Sequence, residues 1–171
     1  MRRALRALVL GFFALAVSPI MSSPRAHAAG EVVDYSGEQS AGTIVVRTEE
    51  RQLYLITGNG KALRYVVGVG RSGKQWFGTT RIASKHIRPA WAPPAEILGG
   101  RPYYVIPAGS PRNPMGAAAL VLRDNELAIH GTNNDASIGG FVSWGCIRMH
   151  NRDIMDLYRR VSVGTRVVIV H

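Results

Sequence analysis

The sequence contains one cysteine, Cys146, in 171 residues. It can form no internal disulfide, so a fold stapled by disulfides is excluded and an apolar core must carry stability. Length and a 46% apolar content are sufficient for one such core. Acid is also scarce, with 11 Asp and Glu against 21 Lys and Arg, a formal charge of +10. The first 28 residues hold four arginines and no acid at all. There is no long apolar run either: the stretch from about Leu8 to Ile20 is too short to span a bilayer comfortably. A basic start, a short apolar stretch and the small-residue step Ala26-His27-Ala28 predict an export signal cleaved near Ala28. No cysteine lies near that step, which excludes a lipoprotein. Loss of the signal would leave 143 residues at a charge of +6. Nucleic acid is not the expected partner, because the chain is exported and shows no nucleic-acid-binding motif. An anionic envelope polymer or membrane surface suits the charge better.

Helical periodicity is missing from the first half, and internal repeats and low-complexity tracts are missing throughout. Residues 29–42 are polar and without period, and read as a flexible lead-in. The domain is expected over 43–171. Thr43 to Arg47, Gln52 to Thr57 and Leu63 to Val69 have strand character, with a turn tolerant of positive φ at Gly58-Asn59-Gly60. Gly68 to Gly78 is glycine-rich, yet it fails the spacing of a phosphate loop and is expected to be a hairpin connection. Thr79 to Ser84 is a further strand. Pro89 to Pro94 and Pro107 to Gly116 are loops, because proline removes ladder donors. Trp91, among prolines, is expected to pack its loop rather than to line a cleft. Glu126 to Ile129 leads as a strand into His130. Asn151 is placed to cap a helix through Tyr158, with Arg159-Arg160 at its end, and Val161 to Val170 closes as a strand. The fold class is therefore mainly β: a single sandwich-like or barrel-like domain with one short helix after the Cys146 loop.

The chemistry lies in HGTNNDASIGGFVSWGCIRMHN, His130 to Asn151. A thiol attacks carbonyls as thiolate, and only a few per cent ionises unaided near neutral pH. His130 can take the proton, Arg148 supplies positive charge, and the amides at Gly145 and Cys146 suit an oxyanion hole. Glycines between positions 131 and 145 let residues sixteen apart meet. Zinc at Cys146 and His150 with His86 or His130 is the weaker alternative, since one thiolate and scattered histidines are a poor metal signal. Arg148 suits a substrate carboxylate, or a structural pairing with Asp153 or Asp135. Trp144 either lines the cleft or covers it.

The same stretch closely resembles the signature of L,D-transpeptidases of the YkuD type: a His-Gly step, then Ser/Thr-x-Gly-Cys with Arg and Asn following. Ser143, Gly145, Cys146, Arg148 and Asn151 match, as do Trp91 to Pro94 and Gly109 to Gly116 upstream. The resemblance covers about Thr43 to Val170. It implies an acyl transfer on peptidoglycan stem peptides, with Cys146 attacking the third-residue carbonyl and expelling the terminal D-alanine. The acceptor is an amine of a second stem, a D-amino acid or a lipoprotein lysine. His130 is implied as base and then acid, the Gly131 carbonyl as its orienter, and Gly145 as an oxyanion amide. Arg148, Trp144, Ser143 and Asn151 are the implied substrate-binding residues. No metal or organic cofactor is implied. Hydrolysis of the same bond, or wall binding without turnover, are the alternatives. Trp144 stands where many members carry His or Lys, and Gln75-Trp76-Phe77-Gly78 replaces a common Thr-Pro-Thr-Gly.

Overall fold

The computed structural model describes residues 29–123 and 127–171, so the expected export signal lies outside the described residues. In chain order the elements are β1 (Glu31–Asp34), β2 (Ile44–Arg47), β3 (Gln52–Gly58), β4 (Lys61–Val66), β5 (Val69–Gly70), β6 (Gly78–Ile87), α1 (Ala95–Leu98), β7 (Ala118–Leu122), β8 (Ala128–His130), β9 (Phe141–Ser143), β10 (Ile147–Arg148), α2 (Asn151–Arg160) and β11 (Arg166–Val170). A nine-stranded sheet runs β1-β4-β3-β2-β11-β6-β7-β8-β10, and β5 pairs with β9 beside it.

The meander β2-β3-β4 forms where β-branched and apolar residues run continuously and successive side chains enter opposite faces. Leu53 and Leu55 enter the main core, whereas Tyr54 and Ile56 join a smaller cluster with Val45, Ala62 and Val168 on the other face. Its tight turn takes positive φ at both Asn59 (52°) and Gly60 (67°), which matches the right-handed twist of the flanking strands. Val167 and Ile169 of β11 run parallel to β2 and bury their side chains in the same main core.

Leu53 of β3 and Tyr65 of β4 share that core with Leu120 of β7, Ile129 of β8 and Ile147 of β10, strands far apart in the sheet order. The sheet therefore closes over itself, as the sandwich-like or barrel-like expectation required. Gly68 and Arg148 complete the closure by exchanging two backbone hydrogen bonds of 2.8 Å, joining the end of β4 to β10. Helix α2 plugs the core with Ile154 and Leu157. It is tied to β4 through Tyr65, whose hydroxyl donates to Asp156 at 2.7 Å. Lys85 of β6 donates to the carbonyls of Tyr158 and Val161 at the helix C-terminus, where a cation is favoured.

Several local expectations change. The lead-in contains β1, because Glu31 and Asp34 ion-pair with Arg64 and Lys61 across an antiparallel edge. Gly68 to Gly78 is not a hairpin connection, since β5 within it pairs in parallel with the distant β9. Strand β6 runs ten residues, because Ala118 to Leu122 pairs with its second half. Helix α2 begins at Asn151 with His150 as its N-cap and extends to Arg160, and the final strand starts only at Arg166. Asn151 does not cap the helix because its amide is engaged elsewhere.

Candidate active site

Parallel pairing of β8 with β10 sets the site. Ile129 faces Ile147 and His130 faces Arg148 in register. Side chains alternate along a strand, so Ile129 and Ile147 enter the core while His130 and Arg148 share the opposite face. Cys146 precedes β10 by one residue, and the Ala128 backbone of β8 acts on its thiol. Sixteen residues of sequence separation are thereby closed by two short strands.

His130 is only 3% exposed. Its Nδ1 lies 2.6 Å from the Gly131 carbonyl, which can only accept, so Nδ1 carries the proton and Nε2 is left as the basic nitrogen. Burial lowers its pKa to about 4, with the Arg148 charge adding to the effect and the Gly131 and Pro114 carbonyls opposing it. The imidazole is therefore neutral near neutral pH. Burial pushes the Cys146 thiol up, opposed by the Ala128 hydrogen bond and by Arg148. The thiol and the imidazole are thus both neutral at rest, and the Arg148 charge favours thiolate. Arg148 makes no ion pair among the described residues: Asp153 pairs with Arg152 and Asp135 with His150. Its Nε is buried without a hydrogen-bond partner.

The Cys146 loop is held internally. Ser143 Oγ donates to the Cys146 carbonyl at 2.6 Å and accepts from the Gly145 amide at 3.0 Å. Two implied roles change as a result. Ser143 is occupied in shaping the loop rather than free for substrate, and the Gly145 N–H is spent on it. Gly145 is required for another reason, since its φ of +125° and a Cβ 3.1 Å from Leu127 would both penalise a side chain. Asn151 is likewise occupied. Its Oδ1 accepts from the amides of Ala117 (2.8 Å) and Thr132 (3.1 Å), and its Nδ2 donates to the Thr132 carbonyl (2.8 Å). It braces the chain after His130 against the start of β7. Gly131 gives it room, because a Cβ there would lie 2.3 Å from Asn151 Oδ1.

A cavity of about 560 Å³ opens onto Cys146, and Trp144 lines it. Trp91, Glu96, Ile97 and Met115 line it as well. Trp91 thus lines the cleft as well as fastening its loop, where its backbone exchanges hydrogen bonds with Ile106. Sequence reasoning missed three supports. Buried Asn113 donates to the carbonyls of Pro89 and Pro107 and accepts from the Met115 amide, organising the wall loop. The Trp76 indole donates to the Gly145 carbonyl at 3.2 Å, so the aromatic replacement at 75–78 braces the nucleophile loop from behind. Arg71 and Lys74 both lie over the Trp144 ring. Asn113 had a readable signal in its proline-flanked setting; the other contacts span too much sequence. The residues of the zinc alternative are not brought together. His86 contacts Ser84, His150 contacts Asp135, and no group of three or more metal-ligating side chains occurs among the described residues.

Comparison with known proteins places this geometry. The sequence model of the YkuD family, the L,D-transpeptidase catalytic domain, matches residues 41–169. The chain belongs to that family. As an L,D-transpeptidase-family domain it is 38% identical over 139 residues to the probable L,D-transpeptidase YbiS of Escherichia coli K12, covering 75% of this chain and 44% of that protein. It is 37% identical over 138 residues to the probable L,D-transpeptidase ErfK/SrfK of Salmonella typhimurium, covering 74% and 43%. The chain thus spans under half the length of these curated relatives. Among solved structures, the catalytic domain of an Enterococcus faecium L,D-transpeptidase acylated by ertapenem superposes with a TM-score of 0.60 at 17% identity, over 78% of this chain and 100% of that one. An L,D-transpeptidase from Mycobacterium smegmatis gives 0.60 at 16% identity, over 75% and 58%. At these identities the two structures establish the shared fold.

Proposed function

We propose that this L,D-transpeptidase-family domain is a cysteine acyltransferase acting on peptidoglycan stem peptides after export to the periplasm or cell wall. The observation that carries it is the pairing of His130 with Arg148, two residues after Cys146, on one face of the β8–β10 pair, with Nδ1 of the histidine held by Gly131. His130 Nε2 takes the Sγ proton as the sulfur attacks the carbonyl of the third stem residue. The oxyanion is received by the Cys146 amide. Collapse of the tetrahedral intermediate breaks the peptide bond, and His130 returns its proton to the departing amine of D-alanine, leaving a thioester. An amine acceptor then loses a proton to His130 and displaces the thiol. Arg148 stabilises the thiolate and holds a substrate carboxylate, while Trp144 forms the wall beside it. Ser143, Gly145 and Asn151 act by shaping the loop and bracing His130. The net positive charge of the described domain favours an anionic envelope surface. Water in place of the amine would give the hydrolase.

Incubation of the domain with tetrapeptide muropeptides, read by mass, separates these outcomes. A cross-linked or exchanged product is expected. A tripeptide alone would assign the hydrolase, and unchanged substrate with folded protein would refute both enzymatic readings and favour a wall-binding protein.

A further inference from the structure

We propose that Arg71, stacked on Trp144, is a second carboxylate-binding residue of the donor cleft; this rests on the reading of that cleft as the stem-peptide site. The guanidinium carbon of Arg71 lies 3.6 Å from the Trp144 ring centroid, and Trp144 lines the cavity at Cys146. A guanidinium held over an indole ring keeps its planar fork of N–H donors, which grips a carboxylate with two parallel hydrogen bonds. Arg71 is exposed and forms no ion pair or side-chain hydrogen bond among the described residues.

Its mounting is rigid. The Arg71 amide donates to the Ser143 carbonyl at 3.0 Å, and Lys74 N–H closes a turn onto the Arg71 carbonyl at 2.9 Å. Gly70 is part of that turn, because a Cβ there would lie 2.5 Å from the Lys74 carbonyl oxygen. The Trp76 indole fastens the same segment to Gly145. The acid in the cavity lining does not cancel Arg71. Glu96 is paired with Lys74, which itself lies 4.9 Å from the Trp144 centroid, so the pair is neutral and Arg71 remains the uncompensated charge. A free carboxylate on the donor peptide fits this cation, and two are available: the side-chain carboxylate of a diamino-acid third residue and the C-terminal carboxylate of the leaving D-alanine.

The test uses the Cys146→Ala protein, which binds without turnover, and isothermal calorimetry with three tetrapeptides: the free acid, the third-residue side-chain amide and the C-terminal amide. With Arg71 present, the amide of the carboxylate that Arg71 holds is expected to bind about tenfold more weakly than the free acid. Adding Arg71→Gln is expected to weaken the free acid by a similar factor and to abolish the difference between the acid and that one amide, which identifies the carboxylate, while any discrimination due to Arg148 is kept. Arg71→Lys, which keeps the charge without the fork, is expected to restore only part of the discrimination. Equal binding of all three peptides by the Arg71 protein, or discrimination against both amides that Arg71→Gln leaves unchanged, would overturn the proposal. Discriminating binding with no product from the wild-type enzyme would support this subsite while refuting the acyltransferase reading.

Discussion

Replacing His130 with alanine tests the site's acid–base logic most sharply. The thiol of Cys146 is pushed above its ordinary value of 9.0 by burial, so near neutral pH at most about 1% is thiolate without a base. His130, with a pKa near 4, is unprotonated there and available to take the proton. Removing it leaves only the ionised fraction to react, a loss of about 100-fold or more that falls within the usual span for general-base catalysis. The deficit should shrink about tenfold per pH unit on the alkaline side, as thiolate forms unaided. Acylation of Cys146 by a carbapenem, followed by mass at each pH from acid to alkaline, measures this directly. The wild-type acid limb should lie well below the ordinary histidine value. A variant that acylates at the wild-type rate near neutral pH, or whose deficit does not change with pH, would remove His130 from the mechanism.

Two further outcomes follow from the same geometry. Buried His130 is neutral in the folded protein with its pKa lowered from 6.5 to about 4. Its contribution to stability is therefore complete above about pH 6.5 and is lost as pH falls toward 4, a change of about 3 kcal/mol. Urea unfolding across that range should show a stability slope that His130→Ala lacks, and equal slopes would contradict the buried neutral assignment. Asn151→Ala strips the amides of Ala117 and Thr132 of their acceptor. It should cost about 1 kcal/mol in unfolding free energy and reduce acylation by misplacing His130; full activity at unchanged stability would contradict the bracing role.

Much of the fold and site was legible because the signals are local. The β-branched and apolar runs of β2 and β3, the Asn59-Gly60 turn and the strand entering His130 are set by short-range sterics and propensity. Cys146 and His130 could be paired on chemistry alone. What was not legible depends on pairing across distance. Strands of two residues, β5 and β10, carry no periodic signal, and their partners are chosen by the closing of the whole sheet. Asn151 looked like a cap or a substrate contact because its residue type suits both; only the approach of β7 and Gly131 makes it a brace. Gly145 was read as an oxyanion donor from its neighbours, and the Ser143 hydroxyl two residues away takes its amide. Trp91 was read as loop packing, since nothing in its own segment reveals the cavity that it faces.

The central claim is that Cys146 is the nucleophile that carries the acyl group. The most direct measurement is intact-protein mass after brief exposure to a tetrapeptide donor or a carbapenem, with peptide mapping of the modified residue. The account predicts a single adduct on the Cys146 peptide of the wild-type protein and none on Cys146→Ala. An adduct that persists in Cys146→Ala would contradict it.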